Sequence, residues 1–131
     1  MANTTYVEGN RRTFIASADY SSTGQFLLVK MHSVAGQIVL ASSAADPIIG
    51  VLMNAPKSGD VADVYLLNSA GTCKAYVGPD AGVTYGDWLT ADEDGGLITS
   101  TADEDRVVGQ ALFTAAAGDI VEFMPANFEL S

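Results

Sequence analysis

The sequence predicts an all-β fold: a single small β-barrel or sandwich-like domain with short strands, glycine-rich turns and little helix. Three observations carry this reading. The apolar runs are short and rich in β-branched residues, and glycine-bearing turn signals separate them at close, regular spacing. No window of about 12 residues keeps a 3.6-residue apolar stripe free of glycine or proline. The 131 residues are one domain's worth of chain, enough to bury roughly 65–70% of the unfolded surface without staples.

The elements follow in order. Residues 1–13 are polar and are read as a flexible N-terminal arm, and residues 14–131 as the single β-rich domain. Strands are predicted over 26–31, 37–41, 48–53, 61–67, 73–77, 88–89, 97–99, 107–113 and 120–124. Turn chemistry at 22–24, 35–36, 58–60, 70–71 and 94–96 separates them. Run 26–31 is apolar on both faces, which suits a strand covered on both sides or lying in a subunit interface. In 61–67, alternation puts Val61, Asp63, Tyr65 and Leu67 on one face and Ala62, Val64 and Leu66 on the other. In 120–124, Val121 and Phe123 oppose Glu122. Residues 42–46 can form a single helical turn, which Pro47 stops.

The chain contains an echo. Ile48-Ile49-Gly50-Val51-Leu52 precedes Gly59-Asp60-Val61, and Val107-Val108-Gly109-Gln110-Ala111-Leu112 precedes Gly118-Asp119-Ile120, with the same separation between the glycines. A third Gly-Asp step, Gly86-Asp87, precedes Trp88-Leu89. A mid-strand glycine permits a bulge or bend. The Gly-Asp pair shapes the turn. The echo is read either as two hairpins solving one geometric problem or as a duplication.

Charge and residue counts narrow the function. There are 16 acidic and 6 basic residues, for a formal net charge of −10. That argues against nucleic acid and against an anionic membrane, since binding either needs clustered cations. The single cysteine, Cys73, allows no internal disulfide, and the single histidine, His32, no multi-histidine metal centre. The start lacks the basic and apolar stretches of a signal peptide. Runs such as 48–53 are far shorter than the ~18–20 residues of a spanning helix. The expectation is a soluble protein made in a reducing compartment.

No catalytic constellation emerges. His32 is read as a strand-end residue, and no Gly-x-Ser-x-Gly elbow occurs. Cys73 is read as a buried thiol, since neighbouring Lys74 points to the opposite face of a strand. Asp92-Glu93-Asp94-Gly95-Gly96 resembles a calcium loop, but alignment puts Thr90 and Thr101 where the first and last carboxylates belong. It is read as a hairpin tip, and Asp103-Glu104-Asp105 as a solvated loop. The expectation is no enzyme activity, no cofactor and no metal. Arginine and aromatic residues coincide in one segment, at Tyr6, Arg11, Arg12 and Phe14, and such residues are the usual interface anchors. These four are the candidate contact residues.

The order of motifs resembles a known family. Val7-Glu8-Gly9 is followed by Thr23-Gly24, by Ala35-Gly36-Gln37-Ile38-Val39-Leu40-Ala41 and by Asp46-Pro47-Ile48-Ile49-Gly50-Val51-Leu52. Then come Gly59-Asp60-Val61-Ala62-Asp63-Val64, Gly86-Asp87-Trp88-Leu89-Thr90-Ala91-Asp92 with Gly95, Val108-Gly109-Gln110-Ala111-Leu112 and Gly118-Asp119-Ile120-Val121. Over residues 14–124 this is similar to the small phage capsid-cement, or head decoration, proteins. The resemblance implies a structural protein of a bacteriophage virion, made in the host cytoplasm. It implies a β-barrel-like fold that binds the major capsid protein on the outer surface of the assembled head, stabilises the shell and self-associates as a homotrimer. An acidic body fits that role, since it stays soluble and does not compete for packaged DNA. The alternative is another virion or surface β-module, for tail adhesion or carbohydrate binding, which would show an exposed aromatic platform.

Overall fold

The strands form two five-stranded units in tandem. The structure is a computed structural model that describes residues 11–67 and 71–130. Among these residues there are ten strands and no helix: β1 (Arg11–Ala16), β2 (Leu28–Met31), β3 (Gln37–Leu40), β4 (Ile48–Leu52), β5 (Val61–Leu66), β6 (Cys73–Tyr76), β7 (Trp88–Ala91), β8 (Leu97–Thr99), β9 (Arg106–Ala111) and β10 (Ile120–Glu129). The first five close into a barrel in the order β1-β3-β2-β4-β5, and the second five form a sheet in the order β6-β10-β9-β7-β8. Nine strands lie where the apolar runs predict them. The tenth, β1, does not, and the boundary drawn after residue 13 falls inside it.

The strand orders correspond one to one, and so do the hydrogen bonds between strands. Gly59 N–H donates to the Ala16 carbonyl and Ala16 N–H to that of Asp60, at 2.9 and 3.0 Å. Gly118 N–H donates to the Val77 carbonyl and Val77 N–H to that of Asp119, at 3.0 and 2.8 Å. Phe26 and Leu52 N–H donate to the Leu52 and Leu27 carbonyls, as Gly86 and Ala111 N–H donate to those of Ala111 and Asp87. Gly59 and Gly118 share a φ of +84°, in the left-handed region that favours glycine. The echo is therefore an internal structural repeat of five strands, larger than a pair of similar hairpins.

The two halves differ at one seam. In the first, β1 and β3 pair in parallel, and Ile15 N–H donates to the Gly36 carbonyl at 2.9 Å, which closes the barrel. In the second, the Phe26–Leu28 segment of the first half enters the corresponding gap. Tyr76 N–H donates to the Phe26 carbonyl at 3.0 Å, and Leu28 N–H donates to the Gly95 carbonyl at 2.8 Å. Among the described residues, β6 and β8 meet at an isolated parallel bridge, Val77 with Leu97. Phe26 holds a φ of +68°, which costs a bulky residue about 1–3 kcal/mol. Its contacts offset this, since its ring meets Tyr76 edge-on at 5.9 Å and carries the Lys74 ammonium at 5.2 Å.

Burial follows from this arrangement. Leu28 and Val29 both reach zero exposure, on opposite faces of β2. Val29 fills the barrel with Ile38, Leu52, Ala62 and Val64. Leu28 joins a core shared by the halves, with Val51, Tyr65, Leu89, Leu97 and Phe123. A strand apolar on both faces is thus covered on both sides, at about 1.5–3 kcal/mol for each fully buried side chain. Ala62 and Val64 turn into the barrel while Tyr65 and Leu67 turn to the shared core, and Val121 and Phe123 are buried opposite exposed Glu122, as alternation predicts.

Residues 42–46 form a hydrogen-bonded turn and not a helical one: Asp46 N–H donates to the Ser43 carbonyl at 3.1 Å. Asp46 Oδ2 accepts the Ser42 N–H at 2.9 Å and pairs with Lys30 Nζ at 3.0 Å. The turn clips the halves together, because the Ala44 carbonyl accepts the Arg106 N–H at 2.7 Å and the Thr90 hydroxyl at 3.2 Å. Partial burial pushes the Asp46 carboxyl up, but the Ser42 N–H, the Lys30 ammonium and the Ser43 N–H outweigh it and hold the group below its ordinary value. A carboxylate depressed in the folded state contributes stability that is present above its unfolded pKa and lost as pH falls through the folded one. Asp46→Asn is therefore expected to lower stability by about 1–2 kcal/mol at neutral pH. The gap between wild type and variant should narrow below about pH 4. Urea titrations at several pH values test this, and a gap that persists at the acid end would rule it out.

Candidate functional site

Strand β1 carries three of the four candidate contact residues; Tyr6 lies outside the described residues. Arg11 and Arg12 are adjacent in sequence, but a strand sends neighbours to opposite faces. Arg11 pairs in register with Tyr65 and Thr13 with Asp63, on the outer face. There Arg11 Nη1 donates to Asp63 Oδ2 at 2.9 Å. Arg12 and Phe14 stand opposite Val64 and Ala62, and the Arg12 guanidinium lies 4.5 Å from the centre of the Phe14 ring. Phe14 in turn packs on the barrel core. The structure thus brings Arg12 and Phe14 together and sets Arg11 apart. β3 takes up β1 at Ile15 and Ala16 alone. Among the described residues no strand pairs with the edge of Arg11–Phe14 that faces away from β5. A free edge can accept an added strand, and charged residues on it discourage indiscriminate pairing.

The other sequence candidates have local roles. His32 Nδ1 accepts the Val34 N–H at 3.0 Å. Cys73 is buried, and burial raises its thiol to about 11, so it stays protonated at neutral pH. Asp92 caps the β7–β8 hairpin, where its Oδ1 accepts the N–H groups of Asp94 and Gly96 at 2.8 and 2.9 Å. Its Oδ2 is buried without a hydrogen-bond partner and sits against Gly78, where a Cβ would overlap it. Asp105 Oδ2 accepts the Ser100 hydroxyl and two backbone N–H groups, ordering the loop before β9. No group of three or more His, Cys, Asp or Glu among the described residues is placed to hold a metal ion.

A second surface went unread in the sequence, because scattered aromatics give no periodic signal. On the outer face of the second sheet, Trp88, Gln110 and Met124 form a row across β7, β9 and β10. Trp88 is 39% exposed and Met124 49%. The Phe128 ring meets Trp88 edge-on at 5.1 Å. At one end of this half, Tyr85 and Phe113 are exposed by 69% and 60%. Their loops are tied together where Tyr85 N–H donates to Thr114 Oγ1 at 3.0 Å.

No family model and no curated protein matches the sequence. The fold does have a counterpart. It is similar to the N base of the bacteriophage phi29 head fiber gp8.5, known from a crystal structure. The TM-score is 0.71 at 18% sequence identity, over 92% of this chain and 97% of that one. The match extends across both halves, so the paired five-stranded units are shared with the fiber base as a whole. At this identity the likeness is one of fold.

Proposed function

We propose that this chain is a structural protein of a bacteriophage virion. On this reading it is a head decoration or cement protein that binds the outer surface of the assembled capsid and stabilises it. The observation that carries this is the fold shared end to end with a head fiber base. The order of glycine motifs, which resembles the cement proteins, is independent support. The partners are the major capsid protein and further copies of the chain, as a homotrimer, and the protein is not an enzyme.

The capsid contact includes β1 and the residues before it, with Tyr6, Arg11, Arg12 and Phe14. The Arg11–Phe14 edge facing away from β5, with which no strand pairs among the described residues, offers main-chain donors and acceptors, and its two arginines lie on different faces. Arg11→Ala/Arg12→Ala is expected to weaken binding to assembled heads at least tenfold, about 1.4 kcal/mol. The fold should remain, because the surface Arg11–Asp63 ion pair is worth about 0–1 kcal/mol and the half-buried Arg12–Phe14 contact about 0.5–2 kcal/mol. Co-sedimentation with purified undecorated heads tests this. Wild-type affinity and occupancy in the double variant would remove β1 from the contact, and no binding by the wild type would remove the decoration role.

A second reading, a carbohydrate-binding or adhesion module, draws on the exposed rings of Tyr85 and Phe113. Binding of a glycan that is lost in Tyr85→Ala would favour it.

A further inference from the structure

The internal repeat puts two corresponding rows in different surroundings. In the first half, Leu28, Val51 and Tyr65 form a row across β2, β4 and β5. All three are buried in the core that the second half completes. The corresponding row of the second half is Trp88, Gln110 and Met124, flanked by Phe128, and it is uncovered. Stacked repeats contact their neighbours, and a terminal repeat normally ends in a polar face. Here the terminal face keeps a tryptophan, a methionine and a phenylalanine.

We propose that this face receives the first half of a second copy, so that chains associate head to tail. The proposal deepens the self-association reading above and rests on it. The occupant is argued from continuity with the contact inside the chain. There, one half covers this row with its β6–β8 seam, through Tyr76 and the Gly95 turn. The corresponding seam of the first half is the β1–β3 seam with the Gly36 turn, and it is exposed and apolar. Ile15 lies on it beside Val61, and Val34 stands in the hairpin whose Gly36 carbonyl accepts the Ile15 N–H. Because that hydrogen bond closes the first barrel, the seam cannot take in a main-chain segment as the second half does. The contact between copies is made by side chains: Ile15, Val34 and Val61 of one copy against Trp88, Met124 and Phe128 of the next. Such a contact is heterologous, with two different faces on every copy, and either closes into a ring or runs on.

Sedimentation velocity on the wild type, Met124→Glu and Val34→Glu tests this. The wild type should associate over a micromolar to submillimolar range. Each variant should keep its melting temperature and raise the self-dissociation constant at least about tenfold. An equimolar mixture of the two should recover a one-to-one dimer, because each supplies the face that the other lacks. Phe128→Ser replaces Met124→Glu if the latter does not fold. A wild type that stays monomeric overturns both the proposal and the self-association reading. Association that survives in both variants overturns the face assignment alone. A mixture that recovers no dimer overturns the head-to-tail arrangement. A monomeric wild type whose binding to heads is lost in Met124→Glu assigns the face to the shell instead.

Discussion

Gly109→Ala is expected to destabilise the protein by about 3 kcal/mol, at the upper end of the cost of overpacking a dense core. A Cβ at Gly109 would overlap the Phe123 ring and stand 2.6 Å from the Met124 carbonyl oxygen. Its counterpart, Gly50, would overlap the Tyr65 carbonyl oxygen and stand 2.7 Å from Val64 Cγ1. Gly50→Ala should cost as much, since the backbone of a paired strand cannot retreat without opening its ladder. The two sites separate in a double mutant. Phe123→Leu should relieve part of the Gly109→Ala penalty, because one of the two obstacles there is a side chain, and contacting residues couple by about 0.5–3 kcal/mol. At Gly50 the nearer obstacle is the Tyr65 carbonyl oxygen and the side chain, Val64, is the farther one, so Val64→Ala should relieve less of the Gly50→Ala penalty. Gly59→Ala is the control: a Cβ there meets nothing within 4 Å, so only the positive φ is penalised, at about 1–2 kcal/mol. Urea unfolding ranks the set, and a Gly59→Ala variant less stable than Gly109→Ala would overturn the steric account.

Phe123→Ala should cost about 3–5 kcal/mol, the usual range for removing a buried ring. Phe123 is fully buried and is among the largest such side chains in the protein. It belongs to the core that also holds Leu28, Val51 and Tyr65 of the first half. The loss should therefore fall on the whole chain. A single thermal transition is expected, lower than wild type, with far-UV circular dichroism and Trp88 fluorescence changing together. Two separated transitions, only one of them shifted, would show that the halves unfold independently and that the shared core does not couple them.

The sequence by itself determined a good deal about this protein. Nine of the ten strands coincide with apolar runs, since a strand that buries one or both faces must write that burial into its residues. The turns at 58–60 and 94–96 were legible because left-handed backbone demands glycine, and the repeat because Gly50 and Gly109 each lie where the neighbouring paired strand leaves no room for a Cβ. Neither strand β1 nor the surfaces could be read this way. Arg11-Arg12-Thr13 has no strand pattern of its own; β5 on one side and the end of β3 on the other make it a strand. Pairing sent the two arginines to opposite faces, which adjacency in sequence had suggested would act together. Only the tertiary structure decided that the Leu28–Val51–Tyr65 row is covered and the Trp88–Gln110–Met124 row is not. Both rows carry large apolar side chains, and which one is covered depends on where the Phe26–Leu28 segment enters the other half. That choice is made by contacts between residues far apart in the chain, and no local pattern records it.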